Sequence, residues 1–174
     1  MTGRRQEAWT SKRKYKNGHY FLTSMRTYKV PPKPRTDDGH LELIAKIIFI
    51  MWFNWNLVEE RWPAIKRAFK GFAIRKVVAM DVEDVIDAPG MIRNRMKIQR
   101  IIENAKVCSR ILDQYGSMQA WVKAVAKEHE KSPLFNPSLE EECQQRFAGI
   151  GETTREWVAY VFRDGKKCTE TITE

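Results

Sequence analysis

The apolar positions of this chain recur at helical spacing, and no window shows the sustained alternation of a half-buried strand. The clearest periodic stretch follows Val30-Pro31-Pro32-Lys33-Pro34-Arg35, which cannot be helical because proline lacks an amide and drives its predecessor toward extended backbone. Thr36, Asp37 and Asp38 then offer cap oxygens and first-turn negative charge to a helix bearing Leu41, Leu43, Ile44, Ile47, Ile48 and Met51. Being apolar nearly all round, that helix belongs in the middle of the core. Pro63 is expected to start a helix that carries Ile65 and Phe69 and stops at Gly71. Asp81-Val-Glu-Asp84 caps a short helix that Pro89-Gly90 must end. From Ile92 the residues Met96, Ile101, Ala105, Cys108, Ile111, Leu112 and Tyr115 keep the helical period until Gly116. Ser117 caps a helix with Ala120, Trp121, Ala124 and Val125, and residues 131–137 form a loop. Ser138 with Glu141 makes a capping box, and a last helix runs from about Thr153 to Phe162. The expected fold class is all-α, with short connections of the kind found in helical bundles. Its expected division is a basic arm over residues 1–36, a helical domain over 37–163 and a tail over 164–174.

Charge sharpens this division. The 174 residues carry a net charge of +9, and residues 1–36 hold ten Lys or Arg against the single acid Glu7. The rest of the chain balances 21 basic against 21 acidic side chains, so the whole excess lies in the arm. Such an arm attracts polyanions, since each cation laid on a phosphate releases counterions, and nucleic acid is the obvious polyanion. A solubilising or targeting tail is the plainer alternative. Trp9, Tyr15, Tyr20 and Phe21 interleave with the basic residues, and aromatic rings of this kind stack on unpaired bases or pack in a fold.

The three cysteines, Cys108, Cys143 and Cys168, have no CxxC pairing and no histidine at metal-ligand spacing, so no metal or other cofactor is expected. Their sparse, odd number suits a reducing intracellular compartment, cytoplasm, nucleoid or nucleus. The longest purely apolar run, Ile47 to Phe53, is far short of the roughly 20 residues a membrane span requires, so no membrane partner is expected.

Two stretches point to a known family. Phe69-Lys-Gly-Phe72-Ala-Ile-Arg-Lys-Val-Val-Ala-Met80 is followed by Asp84-Val-Ile-Asp-Ala-Pro-Gly90-Met-Ile92-Arg93-Asn94-Arg95-Met-Lys97-Ile98 and Ile101-Ile102-Glu-Asn104-Ala105. This run resembles DNA-3-methyladenine glycosylase I, of the helix-hairpin-helix DNA glycosylase superfamily, and extends upstream to Trp55 at the start of that family's second core helix. The likeness covers roughly residues 40–125 and, more loosely, 139–162. Within the second segment, Phe147-Ala-Gly149-Ile150-Gly151-Glu-Thr153-Thr154 lies between two helices. Its glycines permit a tight turn and a close phosphate, and the amides opening the next helix favour negative charge. The plainer reading of the same residues is a helix-terminating glycine between packed helices.

The resemblance implies a protein that binds duplex DNA, damaged DNA in particular, as a monomer. It further implies extrusion of an alkylated base into an aromatic pocket and hydrolysis of its N-glycosidic bond in base excision repair. A cationic alkylated base is already a good leaving group, so charge-complementary binding supplies much of the acceleration. Carried onto this chain, the base pocket falls on Trp55, with Phe53 and Trp52 where related enzymes push a wedge into the duplex. Core packing is the competing expectation for Trp52 and Trp55. Backbone contacts fall on Gly149, Ile150, Gly151, Thr153 and Thr154, and on Arg93, Arg95 and Lys97, which otherwise form a solvated face. The run Glu140-Glu141-Glu142 would repel DNA and is expected on a face turned away, or in the capping role.

The chain departs from the family where chemistry is concerned. The family's core-helix glutamate falls on Ile47, and its polar neighbours become Phe49 and Ile50. The aspartate general to helix-hairpin-helix glycosylases falls on Thr171, with Asp164 too early to align. The family's zinc clasp is missing, since the arm has no cysteine, His19 is its only histidine, and Cys168 alone cannot hold a metal. His40 and His129 are expected to be structural. Glu42, one turn before Ile47, is the nearest substitute carboxylate, with Asp37 and Asp38 beyond it. Three readings stay open: a glycosylase with a relocated carboxylate, a DNA-binding relative without hydrolysis, and a protein-interaction scaffold.

Overall fold

Thr36 opens the first helix as its sequence requires, its hydroxyl accepting the Gly39 amide at 3.1 Å in a computed structural model that describes residues 32–163. These residues belong to a unit that begins at Pro32. Among the described residues eight α-helices follow in order: α1 (Asp37–Ile50), α2 (Trp55–Ala68), α3 (Ile74–Val77), α4 (Glu83–Ile86), α5 (Arg95–Tyr115), α6 (Met118–Lys131), α7 (Leu139–Arg146) and α8 (Glu152–Phe162). A 3-10 turn, Lys70–Phe72, links α2 to α3. Among the described residues there is no strand, and no helix is long and apolar enough to cross a membrane.

The apolar run of α1 makes it the central post. Leu41, Ile44, Ala45, Ile47 and Phe49 are wholly buried, and the helix packs against α2, α3, α5, α6 and α8. The last turn of the fold closes on its start: the His40 ring meets Phe162 of α8 edge-on at 4.9 Å, and its Nδ1 lies 2.8 Å from the Thr36 carbonyl. Burial lowers the His40 pKa below its usual 6.5, so the ring is a neutral core group.

Asp37 and Asp38 do more than charge the start of their own helix. Asp37 Oδ1 accepts the Met118 amide at 2.8 Å, and Asp38 Oδ1 accepts the Ile74 amide at 2.9 Å. Two adjacent acids of α1 thus satisfy orphan first-turn amides of α6 and α3, fixing three helix starts together.

The second helix starts earlier than the proline suggested. Asn54 caps it by accepting the Asn56 amide at 2.9 Å, and Pro63 lies inside α2 rather than at its head. The missing proline amide leaves one ladder bond unmade, and packing of Val58 and Ile65 on either side carries the helix through. A second departure is at α5, which begins at Arg95 instead of Ile92, because Asn94 takes the Lys97 amide at 3.1 Å and so becomes the cap. Gly90 closes the preceding turn at φ +78°, and a Cβ there would stand 2.8 Å from that of Ala64, so only glycine lets this loop lie against α2.

Candidate nucleic-acid interface

The turn between α7 and α8 is built from both of its ends. Ser138 and Glu141 form a full capping box at the head of α7, and Phe147 ends the helix by burying its ring edge-on against Trp121 at 5.8 Å. Gly149 then turns at φ +82°, above the Arg100 side chain of α5, where an added Cβ would come within 2.9 Å of Arg100 Cδ. The fully buried Asn104 of α5 grips the turn from below, its Nδ2 donating to the Ala148 carbonyl at 3.0 Å and its Oδ1 accepting the Ala148 amide at 2.7 Å. Thr154 Oγ1 accepts the Gly151 amide at 2.8 Å and donates to the Gly151 carbonyl at 3.1 Å. Gly149 and Gly151 are exposed, Ile150 is buried as the apolar peg beneath them, and the first-turn amides of α8, those of Glu152 and Thr153, have no partner within their own helix. Thr154 is therefore a buried cap whose hydroxyl is already engaged.

The acidic run before this turn is neutralised rather than displaced. Glu140 pairs with Arg163, Glu142 with Arg146, and Glu141 caps α7. Burial by itself would raise Glu140, but the Arg163 guanidinium outweighs it and holds the carboxyl below the ordinary range.

A second exposed feature joins α1 to α2. Trp52 stands out into solvent, 87% exposed, with its backbone at φ +61°, and Phe53 beside it is 38% exposed. Core packing of Trp52 is thereby overturned: the turn after Met51 projects the indole away from the helices. Lys97 does not lie along a basic face. Its ammonium donates to the Phe49 carbonyl at 2.8 Å and the Met51 carbonyl at 2.6 Å and sits 5.2 Å from the Phe53 ring centre. Arg93 and Arg95 remain outside, both more than half exposed, Arg93 bridging to Asp87 at 3.2 Å and Arg95 to Glu83 at 2.5 Å.

The third feature is the face between α1 and α2. Ile47, on which the resemblance places a glutamate, is wholly buried in apolar core. Trp55 is half-buried, and the Lys46 ammonium lies 5.9 Å from its ring centre and 5.3 Å from that of Trp62, while pairing with Glu59 at 2.8 Å. Glu42 is also in this seam, accepting from Trp62 Nε1 at 3.2 Å and from Lys66 Nζ at 2.8 and 2.9 Å. Trp62 stacks on Phe72 at 5.5 Å, and Phe72 on Phe69 at 5.2 Å, so the floor of the seam is aromatic. Glu42 and Trp55 therefore share one seam; Trp52, Phe53 and Lys97 form a second group and the α7–α8 turn a third.

Two open clefts lie elsewhere. One of about 500 Å³ runs beside the α7–α8 turn and is lined by Asn104, Lys106, Arg110, Arg146 and Ala148, with Glu103 on its rim. The other, of about 420 Å³, is lined by Asp37, Asp38, Ile74, Arg75 and Lys76. Among the described residues no cluster of three His, Cys, Asp or Glu is placed to hold a metal. Burial pushes the Cys108 thiol up to about 12 and Cys143 well above its usual value, making both inert core groups. His129 sits half-buried in the last turn of α6 with Nδ1 2.8 Å from the Asn136 carbonyl, a structural anchor for the loop that follows. His19, the arm aromatics, Asp164, Cys168 and Thr171 lie outside the described residues.

An all-helical domain ending in two helices around a glycine turn, with an exposed aromatic turn between its first two helices, has the DNA glycosylase fold. The family model for methyladenine glycosylase matches residues 32–146, and the chain belongs to that family. A sequence comparison with curated proteins finds no match. Among solved structures, a crystal structure of 3-methyladenine DNA glycosylase I is similar over 77% of this chain and 80% of its own, at 24% identity and a TM-score of 0.56. The Staphylococcus aureus 3-methyladenine DNA glycosylase I is similar over 78% of each chain, at 18% identity and a TM-score of 0.59. A solution structure of 3-methyladenine DNA glycosylase I is similar over 78% of each chain, at 22% identity and 0.57. The fold is shared with all three, and membership of the family makes DNA the partner.

Proposed function

We propose that this chain binds duplex DNA carrying alkylated bases and removes them as a DNA glycosylase, the first step of base excision repair. The observation that carries the reading is the exposed Gly149–Gly151 turn. Pinned by Asn104, it leads into the α8 amides, so one phosphate of the duplex has a rigid seat that costs no ordering on binding. Trp52 and Phe53, exposed aromatic side chains of the turn between α1 and α2, fill the gap left when a base leaves the stack. The extruded base stacks on Trp55. The glycosidic C–N bond breaks with its electron pair leaving on the base, and water adds at the sugar carbon to give an abasic site. Glu42 is the carboxylate that faces this charge, released from Lys66 as the base enters.

A second reading has its own observation. Ile47 is sealed in the core and Glu42 is already bonded to Lys66 and Trp62, an arrangement that also suits a relative that grips damaged DNA without hydrolysing it. One experiment separates the two. Single-turnover incubation with duplexes carrying 3-methyladenine and other alkylated bases, followed by alkali, is expected to give strand breaks that are lost on Glu42→Gln. Salt-sensitive binding without breaks would establish the second reading. Binding indifferent to lesions, or none, would overturn both and leave an interaction scaffold.

A further inference from the structure

Helix α1 ends with no basic residue in its last turn, although its terminal carbonyls carry the negative end of the helix dipole. The missing cation comes from 46 residues further along. Lys97, in the first turn of α5, spends two of its three ammonium donors on the carbonyls of Phe49 and Met51, at 2.8 and 2.6 Å. Among the described residues no carboxylate is paired with it, and its ammonium lies over the Phe53 ring, 5.2 Å from the centroid. The residue that follows Met51 is Trp52, a large non-glycine residue at φ +61°, a backbone region that costs about 1–2 kcal/mol for an L residue. Such a conformation persists only where its surroundings over-determine it. The bonds that do so here are Met51 N to the Ile47 carbonyl at 3.1 Å, Phe53 N to the Ile50 carbonyl at 3.1 Å, and the Lys97 clamp on either side.

From this geometry we infer that Lys97 is a positioning residue: its ammonium locks the end of α1 so that Trp52 and Phe53 project as a rigid wedge into DNA, and it does not itself contact phosphate. The inference rests on the proposal that the chain binds duplex DNA. It predicts that the charge of Lys97 matters for disturbing the base stack and little for holding the backbone. A phosphate contact predicts the reverse, a uniform loss of affinity and a salt slope lower by about one.

The test uses the full chain and a duplex with 2-aminopurine beside an abasic-site analogue, read by fluorescence for unstacking and by a binding titration at several salt concentrations for backbone contact. Lys97→Met, similar in length but uncharged, is expected to lose most of the fluorescence gain. Its salt slope should remain that of the parent, Trp52→Ala should copy the fluorescence defect, and Lys97→Arg should restore part of it. A normal fluorescence gain with a reduced salt slope would overturn the inference. If the parent itself fails to bind duplex, the proposed function fails instead, and the two failures are distinct. Should Lys97→Met not fold, the parent chain still decides. Burial and the neighbouring Arg100 bring the Lys97 pKa down to about 8, so unstacking is expected to fall as pH rises through that value while the complex persists. A profile flat from pH 6.5 to 9 would overturn the inference equally.

Discussion

At the level of single residues, Ile47 is where the resemblance to the family places a glutamate. The assignment comes from counting back from Trp55 along an uninterrupted apolar helix. The structure adds that the side chain has no exposure at all, with Ile44, Ile48 and Phe49 around it on α1. Restoring the carboxylate by Ile47→Glu should therefore cost about 3 kcal/mol or more at pH 7 in urea unfolding, since a charge would be buried without a partner. The sign of the pH dependence follows. Burial raises the folded pKa of the new glutamate above its unfolded value, so the deficit grows as pH rises through the carboxylate range and shrinks toward pH 4.5. A loss under about 1 kcal/mol, unchanged with pH, would mean that this face of α1 opens to a ligand site, and the variant should then be assayed for base release. Other residue roles were not legible. Nothing in the local sequence says that Asp37 and Asp38 serve the amides of Met118 and Ile74, because those partners are 81 and 36 residues away. Trp52 was misread for a related reason: hydrophobicity favours burial, and only the geometry of the turn, φ +61° after the end of α1, turns the indole outward.

Among the elements, helix ends were far more readable than helix seams. Thr36, Ser117 and Ser138 cap as their residue types demand, each accepting the amide three residues on. Pro63 shows the limit, because a proline that most often opens a helix is here carried inside α2 by the packing around it. The α7–α8 turn was legible as glycines between two periodic segments, but its support was not. Asn104 reads as one polar residue on a long amphipathic helix, and only the fold reveals that both ends of its amide hold the backbone of Ala148. Replacing it by alanine leaves a buried carbonyl and amide unpaired. The expected cost is about 3 kcal/mol in chemical denaturation. A loss of duplex affinity should accompany it in a chain that is still folded, since the phosphate seat loosens before the core does. Asn104→Ala with parental stability and parental affinity would show that the turn holds its shape by packing of Phe147 and Ile150 alone.

For the whole molecule the division of labour is electrostatic. The described helical unit carries its acids in pairs with its bases, as Glu140, Glu142, Glu83, Glu59 and Glu42 each illustrate, so it offers DNA shape and a few amides more than net charge. The net +9 comes from residues 1–36. Affinity that comes from the arm should therefore be almost purely salt-dependent, whereas discrimination between damaged and intact duplex should come from the helical unit. Changing Lys12, Arg13, Lys14 and Lys16 together to glutamine in the full chain tests this separation. If all four rest on phosphates, the slope of log affinity against log salt falls by about 3.6, from roughly 0.9 per phosphate contact. The ratio of affinities for damaged over intact duplex at fixed salt should stay where it was, because no element of the α1–α2 or α7–α8 turns has been touched. A fall in that ratio would place the arm, with Tyr15 and Tyr20 between its cations, at the lesion itself and make it a reader of the extruded base. An unchanged slope would assign the arm to some other polyanion and leave the helical unit to bind DNA by its turns alone.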